Sequence, residues 1–157
     1  MQNLKAMNSK EIKELLLKIK EQWDSDLKED AEKYAFLRNA EDKIFIANKE
    51  VFSIDFSKIR INSLGVYFAQ YDKMGLRLSI EGSQMIGKHA KKNFVEIDEK
   101  QAKEWMKGED IFIGEEKELN GFVLVKYNND FLGSGKYQKE TGKVFNFVPK
   151  ARRVNAI

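Results

Sequence analysis

The chain has 157 residues, 42% of them hydrophobic and 34% charged, with a formal net charge of +3. That length suits one or two small domains with a real core, and mixed-sign charge at this density describes a folded surface rather than a disordered tract. The lack of cysteine excludes disulfides, thiolate metal sites and a cysteine nucleophile; the single histidine excludes a multi-histidine metal centre; and no apolar run approaches the ~20 residues of a membrane span.

In chain order, Asn8 or Ser9 reads as a helix N-cap, with Glu11 three residues after Asn8. Ile12, Leu15, Leu16, Ile19 and Trp23 then recur on one face, which predicts a helix over residues 10–23 with its apolar stripe on a core. Residues 24–33 are charged and read as a loop or a second short helix. Short β-rich runs follow at 34–37, 43–47 and 51–56, and residues 59–68 are apolar but broken by Asn62, Ser63 and Gly65. A small α/β domain over residues 1–74 is expected, ending at the turn 72–75.

The second half, residues 75–157, reads as a strand at 76–80, a glycine-bounded turn or short helix at 82–92 and a strand at 93–97. A helix at 99–107 follows, with Asp98 as its N-cap and Gly108 as its stop. Strands are expected near 110–113, 122–127, 131–137 and 143–147. Residues 128–130 and 140–142 are hairpin turns whose side chains tolerate positive φ. Short strands closely linked by turns predict a small barrel-like sheet, so the expected class is α+β.

Charge is unevenly spread. Residues 1–74 are neutral, and from Lys126 to Arg153 there are seven Lys/Arg against two acids. Cations beside aromatic rings on strands can neutralise phosphates and stack bases, so this distribution points to RNA.

Two glycine motifs suit phosphate. Gly82 to Lys88 has the G-x-x-x-x-G-K spacing, but His89 stands where a Ser or Thr would hold Mg²⁺, and no parallel βαβ unit surrounds it. A backbone turn that meets an RNA phosphate is the favoured use. In Leu132-Gly-Ser-Gly-Lys136 no helix follows, so the glycines are expected to relieve crowding in a bent strand. His89 lacks a nucleophile partner and is read as an RNA hydrogen-bond donor or a surface residue. Glu115, Glu116 and Glu118 are a solvated acidic loop, and Phe145 and Phe147 share a strand face expected in the core. No catalytic residue, metal ligand or cofactor is predicted.

The stretch Gly121-Phe-Val-Leu-Val-Lys-Tyr-Asn-Asn-Asp-Phe-Leu-Gly-Ser-Gly-Lys136, followed by Asn146-Phe-Val-Pro-Lys-Ala-Arg-Arg153, resembles a PUA-type RNA-binding domain. The variant is similar to the one appended to Sun-type RNA 5-methylcytosine methyltransferases. The first half, with Tyr34-Ala-Phe-Leu-Arg-Asn39, Lys43-Ile-Phe-Ile-Ala47 and Asn62-Ser-Leu-Gly-Val-Tyr-Phe68, resembles small ribosome-biogenesis factors of the nuclear import protein seven type. Together these imply an N-terminal α/β domain, a C-terminal PUA-like β-barrel with short helices, and RNA as partner, with rRNA or pre-rRNA foremost.

The resemblance further implies that RNA lies between residues 82–93 and the last strand, 143–150. The expected RNA-binding residues are therefore Lys88, His89, Lys91, Lys92, Lys136, Lys143, Lys150, Arg152 and Arg153. The expected function is that of a non-catalytic RNA-binding protein in rRNA processing, modification or ribosome assembly, located in the cytoplasm. An enzyme is set aside because a Sun-type methyltransferase needs a cysteine nucleophile. The alternative is an interaction module that partners an RNA methyltransferase or another ribosome-assembly protein.

Overall fold

The computed structural model describes residues 4–49 and 65–154. The expected strand at 51–56 lies outside the described residues. After a short strand β1 (Lys5–Ala6), the first helix α1 (Ser9–Trp23) opens on a full capping box: Asn8 accepts from the Glu11 N–H at 2.8 Å, and Glu11 accepts from the Asn8 N–H at 3.1 Å. Its periodic residues Leu15, Ile19 and Trp23 are fully buried, as an amphipathic stripe requires. A one-turn helix α2 (Lys28–Ala31) follows.

The strands β2 (Tyr34–Arg38), β3 (Lys43–Asn48), β4 (Val66–Asp72) and β5 (Gly75–Leu78) complete a five-stranded antiparallel sheet in the order β1-β2-β3-β4-β5. β4 and β5 form a hairpin with Asp72 opposite Gly75. The expected division between residues 74 and 75 therefore falls at the tip of a hydrogen-bonded hairpin.

Helix α3 (Ile80–Gly87) starts on Ser79, whose hydroxyl accepts from the Gly82 N–H at 2.9 Å. The span with phosphate-loop spacing is therefore mostly helix rather than loop. Its glycines serve packing: a Cβ on Gly82 would come within 2.2 Å of the Phe68 carbonyl oxygen, and one on Gly87 within 2.5 Å of the Phe131 ring. The helix can approach the sheets only because both side chains are missing.

The second sheet contains β6 (Phe94–Glu96), β7 (Ile111–Phe112), β8 (Phe122–Tyr127), β9 (Asp130–Gln138) and β10 (Lys143–Asn146), in the order β6-β8-β9-β10-β7. β6 runs parallel to β8 and the other pairs are antiparallel. β6 and β7 stay unpaired with each other, so the sheet curls as an open half-barrel rather than closing. Helix α4 (Glu99–Met106) covers it, capped by Asp98 and Gln101 in a second capping box. Asn128, at φ 53°, turns the β8–β9 hairpin in the left-handed conformation that asparagine tolerates.

Strand β8 explains its own sequence. Phe122 and Leu124 join α1, β4, β5 and α3 in one core, while Val123 and Val125 face the interior of the curled sheet with Trp105, Tyr137 and Val144. Both faces are covered, so the run Phe-Val-Leu-Val is apolar without alternation. The first core is thus built by both halves of the chain. Polar contacts cross the same boundary: the Trp23 indole donates to the Phe122 carbonyl at 3.1 Å, and Ser25 donates to the Ile86 carbonyl at 2.9 Å.

Candidate nucleic-acid interface

Lys88, His89, Lys91 and Lys92 lie at or just past the C-terminal end of α3, and Arg152 lies at its first turn. An eight-residue helix is about 12 Å long, so they do not form one cluster. At the C-terminal end, Lys88, His89 and Lys91 border a hollow with Lys20, Asp24 and Asp26, and Lys91 and Lys92 are anchored through their N–H groups to the Trp23 carbonyl. Acids are interleaved with these cations. His89 Nε2 lies 3.6 Å from Asp30, and Lys20 holds the Asp24 carboxyl below the usual carboxylate range through a 2.7 Å contact, with Lys91 and Lys92 adding to the effect.

At the N-terminal end, a single 3₁₀ turn, Lys150–Arg152, brings Arg152 to 2.6 Å from Glu81 in the first turn of α3. Arg153 is tied back: its Nε donates to the Val148 carbonyl at 3.1 Å, and the next N–H, of Val154, donates to Met106. Its guanidinium is therefore partly committed to fastening the chain end. Lys143 is exposed where β10 pairs with the edge strand β7, and Lys136 is half-buried in β9 opposite Phe122 and Phe145.

A groove joins the two ends. Its wider part, about 610 Å³, runs along α3 past Glu81, Gln84 and Met85 to Lys88, with Tyr34 and Ile46 on the opposite wall. Beyond Glu81 it continues into a cleft of about 330 Å³ between the sheets, lined among others by Lys43, Tyr67, Arg77, Phe147 and Arg152. On the far side of α3, Lys88 and Lys126 share a third hollow with Phe94 and Phe131, and Lys126 sits 5.8 and 5.6 Å from those two ring centres.

The cleft also gathers Arg77, Lys43 and Tyr67, which the sequence does not single out, together with Phe147, expected in the core. In the structure Phe147 is 38% exposed, and the Arg77 guanidinium lies 4.7 Å from its ring centre. Arg77 also donates to Gln70 at 2.6 Å, which fixes its orientation. Burial pushes the Tyr67 phenol up, partly offset by Arg77. The available signal was the pattern Leu76-Arg77-Leu78, in which period two turns Arg77 away from the core that takes both leucines.

Among the described residues there is no group of three His, Cys, Asp or Glu that could hold a metal ion, and no helix is long and apolar enough to cross a membrane.

With this geometry in place, comparison with known proteins is informative. Residues 92–154 match the family described as the methyltransferase RsmF PUA domain. The chain is 36% identical over 93 residues to the ribosomal RNA small subunit methyltransferase F of Aeromonas hydrophila, covering 59% of this chain and 19% of that protein. It is 30% identical over 80 residues to the Vibrio cholerae protein of the same name, covering 51% of this chain and 17% of that protein. The chain thus spans about a fifth of the length of these curated relatives.

These matches carry the first resemblance, to the PUA domain of Sun-type methyltransferases. The second, to the nuclear import protein seven type, finds no support in them. They also overturn the expectation that the chain stands outside enzymes: the proteins it matches are methyltransferases by name, so a lack of cysteine in this stretch does not separate it from an enzyme family. The shared region is the PUA-domain region. The C-terminal part of this chain, residues 92–154, is thus similar to the PUA domain of RsmF-type rRNA methyltransferases.

Proposed function

We propose that the chain holds ribosomal RNA in support of small-subunit rRNA methylation, with the strand laid along the groove beside α3. The observation that carries this is the match of residues 92–154 to the RsmF PUA domain. The grooves add physical support. Lys88 stands at one end, Arg77, Lys43 and Arg152 at the other, and Lys91 and Lys92 lie just beyond Lys88. Such a row neutralises phosphates along a strand. Lys143 and Lys150 extend it as exposed cations of the last strand and its following turn. The setting we infer is ribosome biogenesis in the cytoplasm.

The test is replacement of Lys88, Lys91 and Lys92 together by Gln, with affinity measured for a small-subunit rRNA fragment. All three are exposed, so the fold is retained. Affinity drops about tenfold, and the log–log salt dependence becomes shallower by about 2, the contribution of three single-strand phosphate contacts. Unchanged affinity and slope would place the RNA elsewhere.

A further inference from the structure

We propose that the cleft between the two sheets is a pocket for one unstacked nucleotide of single-stranded RNA, its base against Tyr67 and the Arg77–Phe147 pair and its phosphate among Lys43, Arg77 and Arg152. This rests on the RNA-binding reading above and adds which form of RNA is taken and where.

The cleft volume of about 330 Å³ is at the low end of small-molecule sites, the scale of one nucleotide. Two aromatic rings, Tyr67 and Phe147, line it. Phe147 follows the last strand on the face opposite the buried Val144 and Val148; it is 38% exposed and packs edge-on against Phe122 at 5.7 Å. An aromatic ring braced by a second ring and flanked by a guanidinium offers a stacking surface.

Three cations reach this cleft from distant parts of the chain: Lys43 in β3, Arg77 in β5 and Arg152 after β10. Lys43 lies 5.9 Å from the Tyr67 ring centre, and Arg77 is held by Gln70. Convergence of cations on a cavity walled by rings is the combination that single-stranded nucleic acid requires. The walls are already fixed, because β5 and β9 are locked together at Leu78 and Ser134, both of which line the cleft. A nucleotide entering it has little protein ordering to impose.

The experiment uses the 157-residue chain, a short single-stranded oligoribonucleotide carrying 4-thiouridine, and the same sequence as a duplex. Photo-crosslinking of the wild-type protein is expected to label peptides containing Tyr67 or Phe147. Phe147→Leu is expected to lower single-strand affinity about tenfold and to leave duplex affinity unchanged, and Arg77→Gln to lower single-strand affinity several-fold more than duplex affinity. Single-strand binding with crosslinks elsewhere overturns the pocket and leaves the RNA-binding reading standing. Equal losses for single strand and duplex also overturn it, since the cations would then act only as general counter-charge. Failure to bind either RNA overturns both. Should a variant unfold, the crosslink position on the wild-type chain decides.

Discussion

Ser134 in the curled sheet and Leu78 in the first sheet exchange two hydrogen bonds: the Leu78 N–H donates to the Ser134 hydroxyl at 3.1 Å, and that hydroxyl donates to the Leu78 carbonyl at 3.0 Å. Both residues are buried. One side chain thus stands in for a strand–strand rung between sheets that do not otherwise pair. Ser134→Ala leaves a buried N–H and carbonyl without these partners and should cost about 1–3 kcal/mol. Chemical denaturation checks this; a midpoint shift with unchanged slope is the expected form. An unchanged midpoint would mean that the junction relies on apolar packing alone.

The glycines of α3 give a second stability prediction. Gly82→Ala places a methyl group within 2.2 Å of the Phe68 carbonyl oxygen, a backbone atom that cannot swing aside. Overpacking of this kind costs about 1–3 kcal/mol, despite the gain in helix propensity from glycine to alanine. If the thermal midpoint rises instead, α3 is free to move outward, and packing does not explain the glycine.

Stability should fall at alkaline pH. Burial raises the phenols of Tyr67 and Tyr71 above their ordinary value, with Arg77 and Arg38 respectively opposing the shift. A group whose folded pKa lies above its unfolded one contributes fully below the unfolded value, about 10, and loses that contribution as pH rises through the folded value. The contribution of these two phenols should therefore be constant up to about pH 9 and decline above it. Ultraviolet titration of tyrosinate should show at least two of the five tyrosines ionising late. Simultaneous ionisation of all five in the folded chain would contradict the burial of these two.

Glu81 is the acid at the midpoint of the α3 groove, and it engages Arg152 at 2.6 Å. Both side chains are partly solvated, so Glu81→Gln should change stability by less than ~1 kcal/mol. The same substitution removes a negative charge from the RNA path and frees Arg152, so affinity for single-stranded RNA should rise roughly two- to fivefold at low salt. A fall in affinity would show that Glu81 itself contacts RNA or must hold Arg152 in place.

Local signals made much of the fold legible. The pairs Asn8–Glu11 and Asp98–Gln101 sit at helix starts because a side chain three residues on can satisfy the first N–H groups without help from the rest of the protein. β8 was legible to the residue because its apolar run is bounded by Gly121 and Asn128. α3 was harder to see. Two glycines within it leave a turn and a short helix both open, and their role depends on Phe68 and Phe131, which no local window contains.

The site was the least legible part for the same reason. Arg152 and Glu81 are 71 residues apart in sequence, and Arg77 meets Phe147 across two sheets. Composition located the cations in the C-terminal half, yet the acids that interleave with the first run, Asp24, Asp26 and Asp30, come from the neutral N-terminal half. Charge counted along the chain cannot show which carboxylates fold back onto it.

We propose that this chain grips ribosomal RNA through its phosphates. The most direct measurement is the affinity of the 157-residue chain for a single-stranded small-subunit rRNA fragment across a salt series. With about six phosphates neutralised, log affinity falls against log salt with a slope near −4. A slope near zero, or no measurable binding at low salt, contradicts the account.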